Sequence, residues 1–292
     1  MKLLVTGRSG QVATSLLALA APDLEIVALG RPELDITDRA SLDRAIAAHR
    51  PDVVVSAGAY TAVDRAETDV DVAFAANRDG AGHAAAAAAA AGLPIIHIST
   101  DYVFPGDKAE PYVESDATGP VSVYGRSKLE GETAVLAANP QAAVLRTAWV
   151  YSPYGNNFLK TMLKLAATRD ALRVVGDQQG TPTYAPDIAE AIVVVARRML
   201  ASPAAEDWRG VFHLVATGTT NWADFAAEIF RQSAARGGPS ASVEAIGTAD
   251  YPTPAHRPAN SRLDTARFNG VFGHRLPSWQ DGVGRCLAAL DA

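Results

Sequence analysis

The run KLLVTGRSGQVA, residues 2–13, decides the fold of this chain. Lys2–Thr6 is a short apolar stretch typical of a buried parallel strand, and a helical pattern follows it directly. Gly7 allows a tight turn, Gly10 lets the backbone approach a ligand closely, and Ala13 keeps the helix close to the strand. A diphosphate group would then lie at the start of the helix, where free N–H groups favour negative charge. The residues predicted to bind it are Gly7, Gly10, Gln11 and Val12.

Four further apolar runs repeat the strand pattern, with helical stretches between them. The predicted strands are Glu25–Leu29, Val53–Ser56, Pro94–Ile98 and Ala143–Thr147. The predicted helices are Gln11–Ala20, Ser41–His49, Val70–Asn77, His83–Ala91 and Ser127–Ala138. Strands that alternate with helices of this length imply an α/β fold, a Rossmann-type doubly wound parallel sheet with right-handed crossovers.

The pattern becomes less regular after Trp149, where a smaller carboxy-terminal domain is predicted. Its elements are helices at Asn157–Ala167, Ile188–Met199, Trp222–Gln232 and Ser278–Leu290, and strands at Arg173–Val175 and Val211–Val215. The stretch from Gly237 to Pro258 is rich in Gly and Pro and is predicted to be irregular. We therefore expect an NAD(P)-binding domain over residues 1–150, with later segments at about 181–217 interleaved with it, and a mainly substrate-binding domain over 151–292.

Composition excludes some classes of protein. The chain has 292 residues, of which 48% are apolar and 20% charged, and its formal charge of −6 argues against a nucleic-acid partner. Met1 and Lys2 lead directly into the first strand, so no signal peptide is predicted, and the longest apolar run, Ala84–Ala91, is too short to span a membrane. Cys286 is the single cysteine, which fits a reducing compartment. The expectation is a cytoplasmic protein without membrane contact.

The tip of the second strand bears on the choice of cofactor. An acid there would bind the ribose hydroxyls and repel a 2′-phosphate, but the strand ends in Leu29, Gly30 and Arg31. Arg31 could bind the 2′-phosphate of NADPH, although a solvated loop arginine is an equal alternative, and Asp35 could line the ribose or adenine. NADPH is therefore favoured, with NADH also accepted. The other residues predicted to line the cofactor are Ile36, Ala57, Gly58, Ala59 and Tyr60.

Tyr124 and Lys128 are four residues apart, so they lie on the same face of a helix. An ammonium beside a phenol favours the phenolate, and the same lysine could hold the nicotinamide ribose. Thr100 follows the fourth strand and could donate its hydroxyl to the same carbonyl oxygen. A tyrosine–lysine pair alone is common on helix surfaces. Tyr124 and Lys128 are also predicted to bind the cofactor, and Thr100 and Tyr124 the substrate. Together the three residues indicate the reduction of a carbonyl group.

With the glycine turn, these residues resemble the extended short-chain dehydrogenases/reductases, and further motifs resemble one family among them, the dTDP-4-dehydrorhamnose reductases. The motifs are STDYVF at 99–104, YGRSKLEGE at 124–132, RTAWVY at 146–151, NF at 157–158, DQQGTPT at 177–183 and RPANSRLD at 257–264. They cover nearly the whole chain. The resemblance implies reduction of the C4 ketone of dTDP-4-dehydro-β-L-rhamnose to dTDP-L-rhamnose with NAD(P)H.

The resemblance also implies roles for single residues. Thr100, Tyr124 and Lys128 match the catalytic residues of the family. Arg257 is a candidate partner of the substrate diphosphate, with a structural pairing to Asp264 or to a backbone carbonyl as the alternative. Trp149 would form a flat wall against the sugar, although a core tryptophan is an equal alternative. The residues expected to bind substrate are Val63, Thr100, Asp101, Tyr102, Tyr124, Trp149 and Arg257.

Some relatives bind Mg²⁺ through glutamates at a dimer contact, one of them early in the first helix. Residues 11–16, QVATSL, contain no acid, so no metal is predicted, and a monomer or weak homodimer is favoured. Three other functions stay open. They are an NAD-dependent epimerase or dehydratase, which Tyr102 in place of a glutamate disfavours; an NAD(P)-binding regulatory subunit resembling the methionine adenosyltransferase β subunit; and a reductase of another nucleotide sugar.

Overall fold

A computed structural model describes residues 1–291 of the chain. Its strands, numbered along the chain, are β1 (Lys2–Thr6), β2 (Glu25–Leu29), β3 (Val53–Ser56), β4 (Ile95–Thr100), β5 (Ala142–Thr147), β6 (Val150–Tyr151), β7 (Ala171–Val175), β8 (Gln179–Gly180), β9 (Thr183–Tyr184), β10 (Gly210–His213), β11 (Thr220–Asn221) and β12 (Ser242–Ile246). Most of the longer strands belong to one central sheet.

The helices are α1 (Gln11–Leu17), α2 (Arg39–His49), α3 (Val63–Ala66), α4 (Val70–Phe74), α5 (Ala81–Ala90), α6 (Val123–Ala138), α7 (Phe158–Ala166), α8 (Ala185–Ala201), α9 (Trp222–Ala234), α10 (Ala266–Phe272) and α11 (Trp279–Asp291). A π-helical turn over Ala75–Gly80 joins α4 to α5. Short 3₁₀ turns cover Asp101–Val103 and Thr248–Asp250. Within residues 1–291, no helix is both long and apolar enough to cross a membrane.

The central sheet has six parallel strands in the order β10-β5-β4-β3-β1-β2. Its inner strands are buried along both faces, as the continuous apolar run Val53–Val55 requires. The order reverses beside β1, which is the point where ligands bind in doubly wound sheets. The predicted fold class, a Rossmann-type doubly wound parallel sheet, is confirmed.

Alternate residues of the strands face two helical layers. Leu3 and Val5 of β1 pack in one core with residues of α1 and α8, whereas Leu4 packs in the opposite core with residues of α2, α5 and α6. This alternation follows from the two-residue period of a strand. The two layers leave the carboxyl ends of the strands free for the site.

The later half of the chain has a core of its own. Residues of α7, α9, α11 and β7 enclose it, with Phe225, Ile229 and Val283 fully buried. By contrast, α8 packs on α1, and β10 pairs with β5, so both return to the central sheet. Both elements lie within the stretch 181–217 that was predicted to interleave with the first domain. The domain boundary at residue 150 stays a prediction.

Several elements differ from the sequence prediction, among them the following three. Helix α6 begins at Val123 rather than Ser127, because the Ser122 hydroxyl accepts the Gly125 N–H and caps the helix at 3.1 Å. The predicted helix over Val70–Asn77 ends at Phe74 and continues as the π-helical turn. Strand β12 lies within the Gly/Pro-rich stretch that was predicted to be irregular, because pairing with β7 supplies the order that local sequence does not.

We expect Gly131→Ala to destabilise the protein. Gly131 lies where α6 crosses the π-helical turn, and a Cβ there would overlap the Asn77 carbonyl oxygen. Overpacking of this kind lowers the free energy of unfolding by about 1–3 kcal/mol. Gly270→Ala is the matched control, since nothing lies within 4 Å of its added Cβ. In helix α10 the control change should raise stability by about 0.5–1 kcal/mol. Urea unfolding of both variants measures the difference, and equal effects would contradict the packing argument.

Candidate active site

The glycine turn after β1 contacts the loop after β3. Gly7 has φ +86°, and a Cβ at this position would lie 2.8 Å from the Cα of Gly58. The Thr6 hydroxyl accepts the N–H groups of Ala57 and Gly58 at 3.1 and 3.0 Å and holds the two loops together. Sequence reasoning missed Thr6, because a threonine at a strand end carries no signal for a contact across the sheet.

Helix α1 begins at Gln11, and its N-cap residue Gly10 provides no side-chain acceptor for the first turn. The backbone N–H groups at Gln11 and Val12 are thus available to an anion. The Gln11 side chain is used elsewhere. Its Oε1 accepts from Ser152 Oγ at 2.7 Å and from Asn157 Nδ2 at 3.0 Å, so it ties α1 to the later half of the chain. Gln11 can therefore offer a ligand its backbone but not its amide.

A cavity of about 580 Å³ lies over this turn. The predicted cofactor residues that line it are Gly7, Arg31, Asp35, Ile36, Gly58, Ala59 and Tyr60. The other predicted cofactor residues, Gly10, Gln11, Val12, Ala57, Tyr124 and Lys128, do not line it. Arg31 is exposed and donates to Asp35 Oδ2 at 2.8 Å, which together with the Thr37 N–H lowers the pKa of Asp35 to about 2. The cavity thus has a fixed cation at the tip of β2.

Asn77 joins this cavity to helix α6. Its side chain accepts the Tyr60 N–H at 2.8 Å and donates to the Tyr60 carbonyl at 3.0 Å. It also donates to Ser127 Oγ at 2.9 Å, and Ser127 lies between Tyr124 and Lys128. Asn77 therefore links the helix turn that carries Tyr124 and Lys128 to Tyr60, which lines the cavity of about 580 Å³. Sequence reasoning placed Asn77 in a helix but assigned it no role.

Thr100 and Tyr124 come together at the carboxyl end of β4. The Thr100 hydroxyl donates to Asp101 Oδ1 at 2.9 Å and accepts the Tyr102 N–H at 3.2 Å. Burial raises the pKa of Tyr124, and the neighbouring Thr100 hydroxyl offsets only part of this effect. Tyr124 is therefore protonated at neutral pH, which suits a proton donor.

Lys128 is 2% exposed, and its ammonium donates to the Ile98 carbonyl at 2.6 Å. Burial lowers the pKa of Lys128 to about 8, and the Glu132 carboxylate opposes part of this shift. The sequence predicted that Lys128 lowers the pKa of Tyr124, but the pKa of Tyr124 is raised. The physical reason is that the ammonium points toward the strand, so burial dominates at the phenol.

A second cavity, of about 840 Å³, lies between the later half of the chain and the carboxyl end of β4. Val63, Tyr102 and Arg257, all predicted to bind substrate, line it. Tyr102 also contacts Tyr124, with ring centroids 5.6 Å apart in an edge-to-face arrangement. Tyr102 thus lies between the larger cavity and Tyr124, the proposed proton donor, and contacts both. None of Thr100, Asp101 and Tyr124 lines this cavity: Thr100 and Asp101 are buried, whereas Tyr124 is partly exposed.

Asp101 is 3% exposed, and burial raises its pKa to about 6 although its Oδ1 accepts from the Thr100 hydroxyl at 2.9 Å. The same carboxylate and burial raise the pKa of Tyr102 to about 12. Asp101 is therefore protonated more easily than an ordinary carboxylic acid, whereas Tyr102 remains a neutral hydrogen-bond donor.

Trp149 does not line the larger cavity. Its ring stacks on Trp222 at 3.6 Å between centroids and covers Gly180, where a Cβ would overlap the indole. Trp222 lines the cavity in its place. Trp149 also has φ +48°, a strained backbone conformation for a residue with a side chain. The packing thus makes Trp149 the support of a Trp222 wall, and Trp222 was missed because its position depends on tertiary contacts.

Arg257 donates to Asp64 Oδ2 at 2.9 Å, and its guanidinium also faces Tyr102. The suggested alternative pairing with Asp264 is not seen, because the Asp264 carboxylate accepts the Ala266 N–H instead. Since Asp64 belongs to α3, the ion pair holds this short helix against the cavity wall. Two further arginines, Arg169 and Arg173, line the same cavity and were not predicted.

The doubly wound sheet, the glycine turn and the Thr–Tyr–Lys group define an extended short-chain dehydrogenase/reductase. The model of the RmlD substrate binding domain family matches residues 1–292. Among proteins named dTDP-4-dehydrorhamnose reductase, one from Sinorhizobium fredii is 53% identical over 99% of this chain and 98% of its own length. Another, from Escherichia coli K12, is 42% identical over 99% of this chain and 98% of its own length. The chain belongs to the dTDP-4-dehydrorhamnose reductase family.

Solved structures agree with this assignment. A dTDP-4-dehydrorhamnose reductase from Clostridium acetobutylicum superposes with a TM-score of 0.91, at 37% identity and with all of both chains covered. A second, from Bacillus anthracis in complex with NADP, has a TM-score of 0.90 at 34% identity, with 99% of each chain covered. UDP-glucose 4-epimerase from Thermus thermophilus shares the fold alone. It is 18% identical, with a TM-score of 0.80 and with 100% of this chain and 99% of that chain covered.

The lowered pKa of Lys128 predicts a pH dependence of NADPH binding. The ammonium is present below about pH 8 and is lost as the pH rises through this value, so the affinity for NADPH should fall above pH 8. Fluorescence titration of the cofactor between pH 6 and 10 measures this. Lys128→Met, which keeps the apolar stem without the charge, should bind weakly and lose the dependence. An affinity that is constant across pH 8 in the unaltered protein would contradict the assignment.

Proposed function

We propose that this chain reduces the C4 ketone of dTDP-4-dehydro-β-L-rhamnose with NADPH to give dTDP-L-rhamnose. The relatives that are similar over nearly their full length are named for this activity. The observation that carries the proposal is the position of Tyr124. Its ring contacts Tyr102, which lines the larger cavity, and its helix is tied through Asn77 to Tyr60, which lines the smaller one.

The residues over the glycine turn fit NADPH. Two loops meet at residues that have no side chain, Gly7 and Gly58. The first turn of α1 leaves its N–H groups free, and Arg31 lies at the tip of β2. A relative that is similar over its full length has been solved in complex with NADP. When bound, NADPH supplies the hydride that reduces the ketone carbon. We assign Lys128 to the nicotinamide ribose and Arg31 to the 2′-phosphate, with Asp35 and Ile36 at the ribose and adenine edge.

Tyr124 donates its proton to the oxygen that becomes the C4 hydroxyl. Because its pKa is raised, it keeps this proton until negative charge develops on the oxygen. Thr100 has a single proton, which it gives to Asp101 in the structure. Its hydroxyl must therefore rotate to donate to the ketone, while the Tyr102 N–H continues to hold its oxygen. The two hydroxyl groups then stabilise the developing alkoxide.

The larger cavity suits a nucleotide-linked sugar. At about 840 Å³ it falls in the size range of cofactor and substrate sites. Arg257, Arg169 and Arg173 bring positive charge to it, as a diphosphate requires. We propose that Val63 and Tyr102 contact the sugar and that Trp222, supported by Trp149, forms the flat wall. The buried Asp101 would contribute to the substrate site through the Thr100 hydroxyl, whose proton it accepts.

We also propose the division of labour between the two parts of the chain: residues 1–150 bind the cofactor, and residues 151–292 mainly bind the sugar nucleotide. The enzyme would work in the cytoplasm as a monomer or weak homodimer without metal. The first turn of α1 contains no acid that could contribute to a metal site at a dimer contact, which supports the parts of this proposal that concern metal and oligomeric state.

Tyr124→Phe should abolish most turnover, because the ring loses the only proton that it can donate. We expect kcat to fall about 100-fold or more, the range for removal of a general acid, while the Kd for NADPH changes less than about twofold. NADPH oxidation at 340 nm with dTDP-4-dehydrorhamnose measures the first, and fluorescence titration the second. A variant with near-normal kcat would exclude Tyr124 as the donor.

Arg31→Ala should raise the KM for NADPH about tenfold and leave the KM for NADH nearly unchanged, because only NADPH carries the 2′-phosphate. Arg44→Ala is the matched control: Arg44 is as exposed as Arg31 and also pairs with an acid, Asp38, but it does not line the cavity. Steady-state kinetics with both cofactors measures the ratio. If Arg31→Ala changes both KM values equally, Arg31 does not contact the phosphate.

A further inference from the structure

A histidine lies beneath the catalytic lysine. His97 belongs to β4 and is 1% exposed, and its Nε2 lies 3.3 Å from the Lys128 ammonium. Its other ring nitrogen, Nδ1, lies 3.1 Å from Ser56 Oγ on the neighbouring strand β3. Ser56 immediately precedes the loop that meets the glycine turn. The side chains thus form a buried chain from β3 through β4 to helix α6.

The ammonium fixes the tautomer of this histidine. Lys128 has only donors, so Nε2 can contact it favourably only as an acceptor without a proton. Nδ1 must then carry the proton and donate it to Ser56 Oγ. Burial and the charge of Lys128 both lower the pKa of His97 well below its ordinary value, which keeps the ring neutral.

We propose that His97 is a positioning residue for Lys128, whose neutral imidazole accepts one ammonium proton and leaves the remaining donor for the cofactor. The Ile98 carbonyl takes the second proton at 2.6 Å. Two acceptors on one strand thus fix the direction of a side chain that otherwise has four rotatable bonds. The inference takes from the proposed function only that the protein binds NADPH, and it does not depend on reduction of the sugar.

Charged groups near Lys128 do not replace these acceptors. Glu132 lies one turn further along α6, but its carboxylate already accepts from Arg146 of β5 at 2.9 and 2.7 Å and from Ser99 of β4 at 2.5 Å. Tyr124, one turn earlier on α6, is neutral. Among the described residues, no carboxylate forms an ion pair with the Lys128 ammonium. His97 and Ile98 are therefore the neutral acceptors that the ammonium contacts, and Glu132 acts on it only through its charge.

Two substitutions separate this role from simple packing. His97→Asn retains a donor near the Nδ1 position for Ser56 but removes the acceptor for Lys128. His97→Gln is longer and places an amide oxygen close to the position of Nε2. The readout is the Kd for NADPH as a function of pH, which needs no sugar substrate.

In His97→Asn the pH above which NADPH binding weakens should fall by about one pH unit, the shift expected when a charged group loses one hydrogen bond. In His97→Gln it should return to within about 0.3 pH units of the unaltered protein, a shift that corresponds to about a twofold change in the ionisation constant. A midpoint in His97→Asn equal to that of the unaltered protein would overturn the proposal. So would equal shifts in both variants, because packing alone would then explain them.

Nuclear magnetic resonance of the unaltered protein gives a second test that does not depend on the folding of a variant. Long-range ¹H–¹⁵N spectra should show Nδ1 of His97 protonated and Nε2 bare. A proton on Nε2 would overturn the proposal, since that nitrogen could not accept from the ammonium. Absence of sugar reduction with a normal pH profile of NADPH binding would count against the proposed function and leave the role of His97 intact.

Discussion

The buried ion pair between Glu132 and Arg146 is the interaction on which the geometry of the site depends. Both side chains are at most 4% exposed, and the Ser99 hydroxyl completes the contact. Removal of one partner from such a pair costs about 3–5 kcal/mol, because the other charge is left buried. Glu132, Lys128 and Tyr124 are spaced four residues apart on α6, so they share one face. Fixing the carboxylate on strands β4 and β5 therefore also fixes where the phenol and the ammonium point.

The later half of the chain is held against this frame by contacts that also belong to the site. The Gln11 amide, at the start of α1, binds Ser152 and Asn157. Arg257 reaches Asp64 of α3 from the opposite end of the sequence. The tyrosine wall between the larger cavity and Tyr124 is thus assembled from segments that meet only in the folded protein. The larger cavity is therefore lined by residues from both parts of the chain.

Sequence reasoning predicts what depends on local pattern. It gives the first three strands to the residue and the shared face of Tyr124 and Lys128, because strand period and helix spacing are local properties. It does not give β12, whose order comes from pairing with a distant strand. It also misses Trp222 as the cavity wall and His97 beneath the lysine. Their roles depend on which side chains the fold brings near them, and no spacing within the sequence encodes that.

The most direct test of the central claim is to follow deuterium from NADPH labelled at C4 of the nicotinamide into dTDP-4-dehydrorhamnose. We expect NADPH that carries deuterium at the transferred C4 position to give dTDP-L-rhamnose with one deuterium at C4 of the sugar. Mass spectrometry and proton nuclear magnetic resonance detect this label. The new hydroxyl proton comes from Tyr124 and exchanges with water, so it carries no label. Formation of product without deuterium at C4, or no product despite tight NADPH binding, would contradict the account.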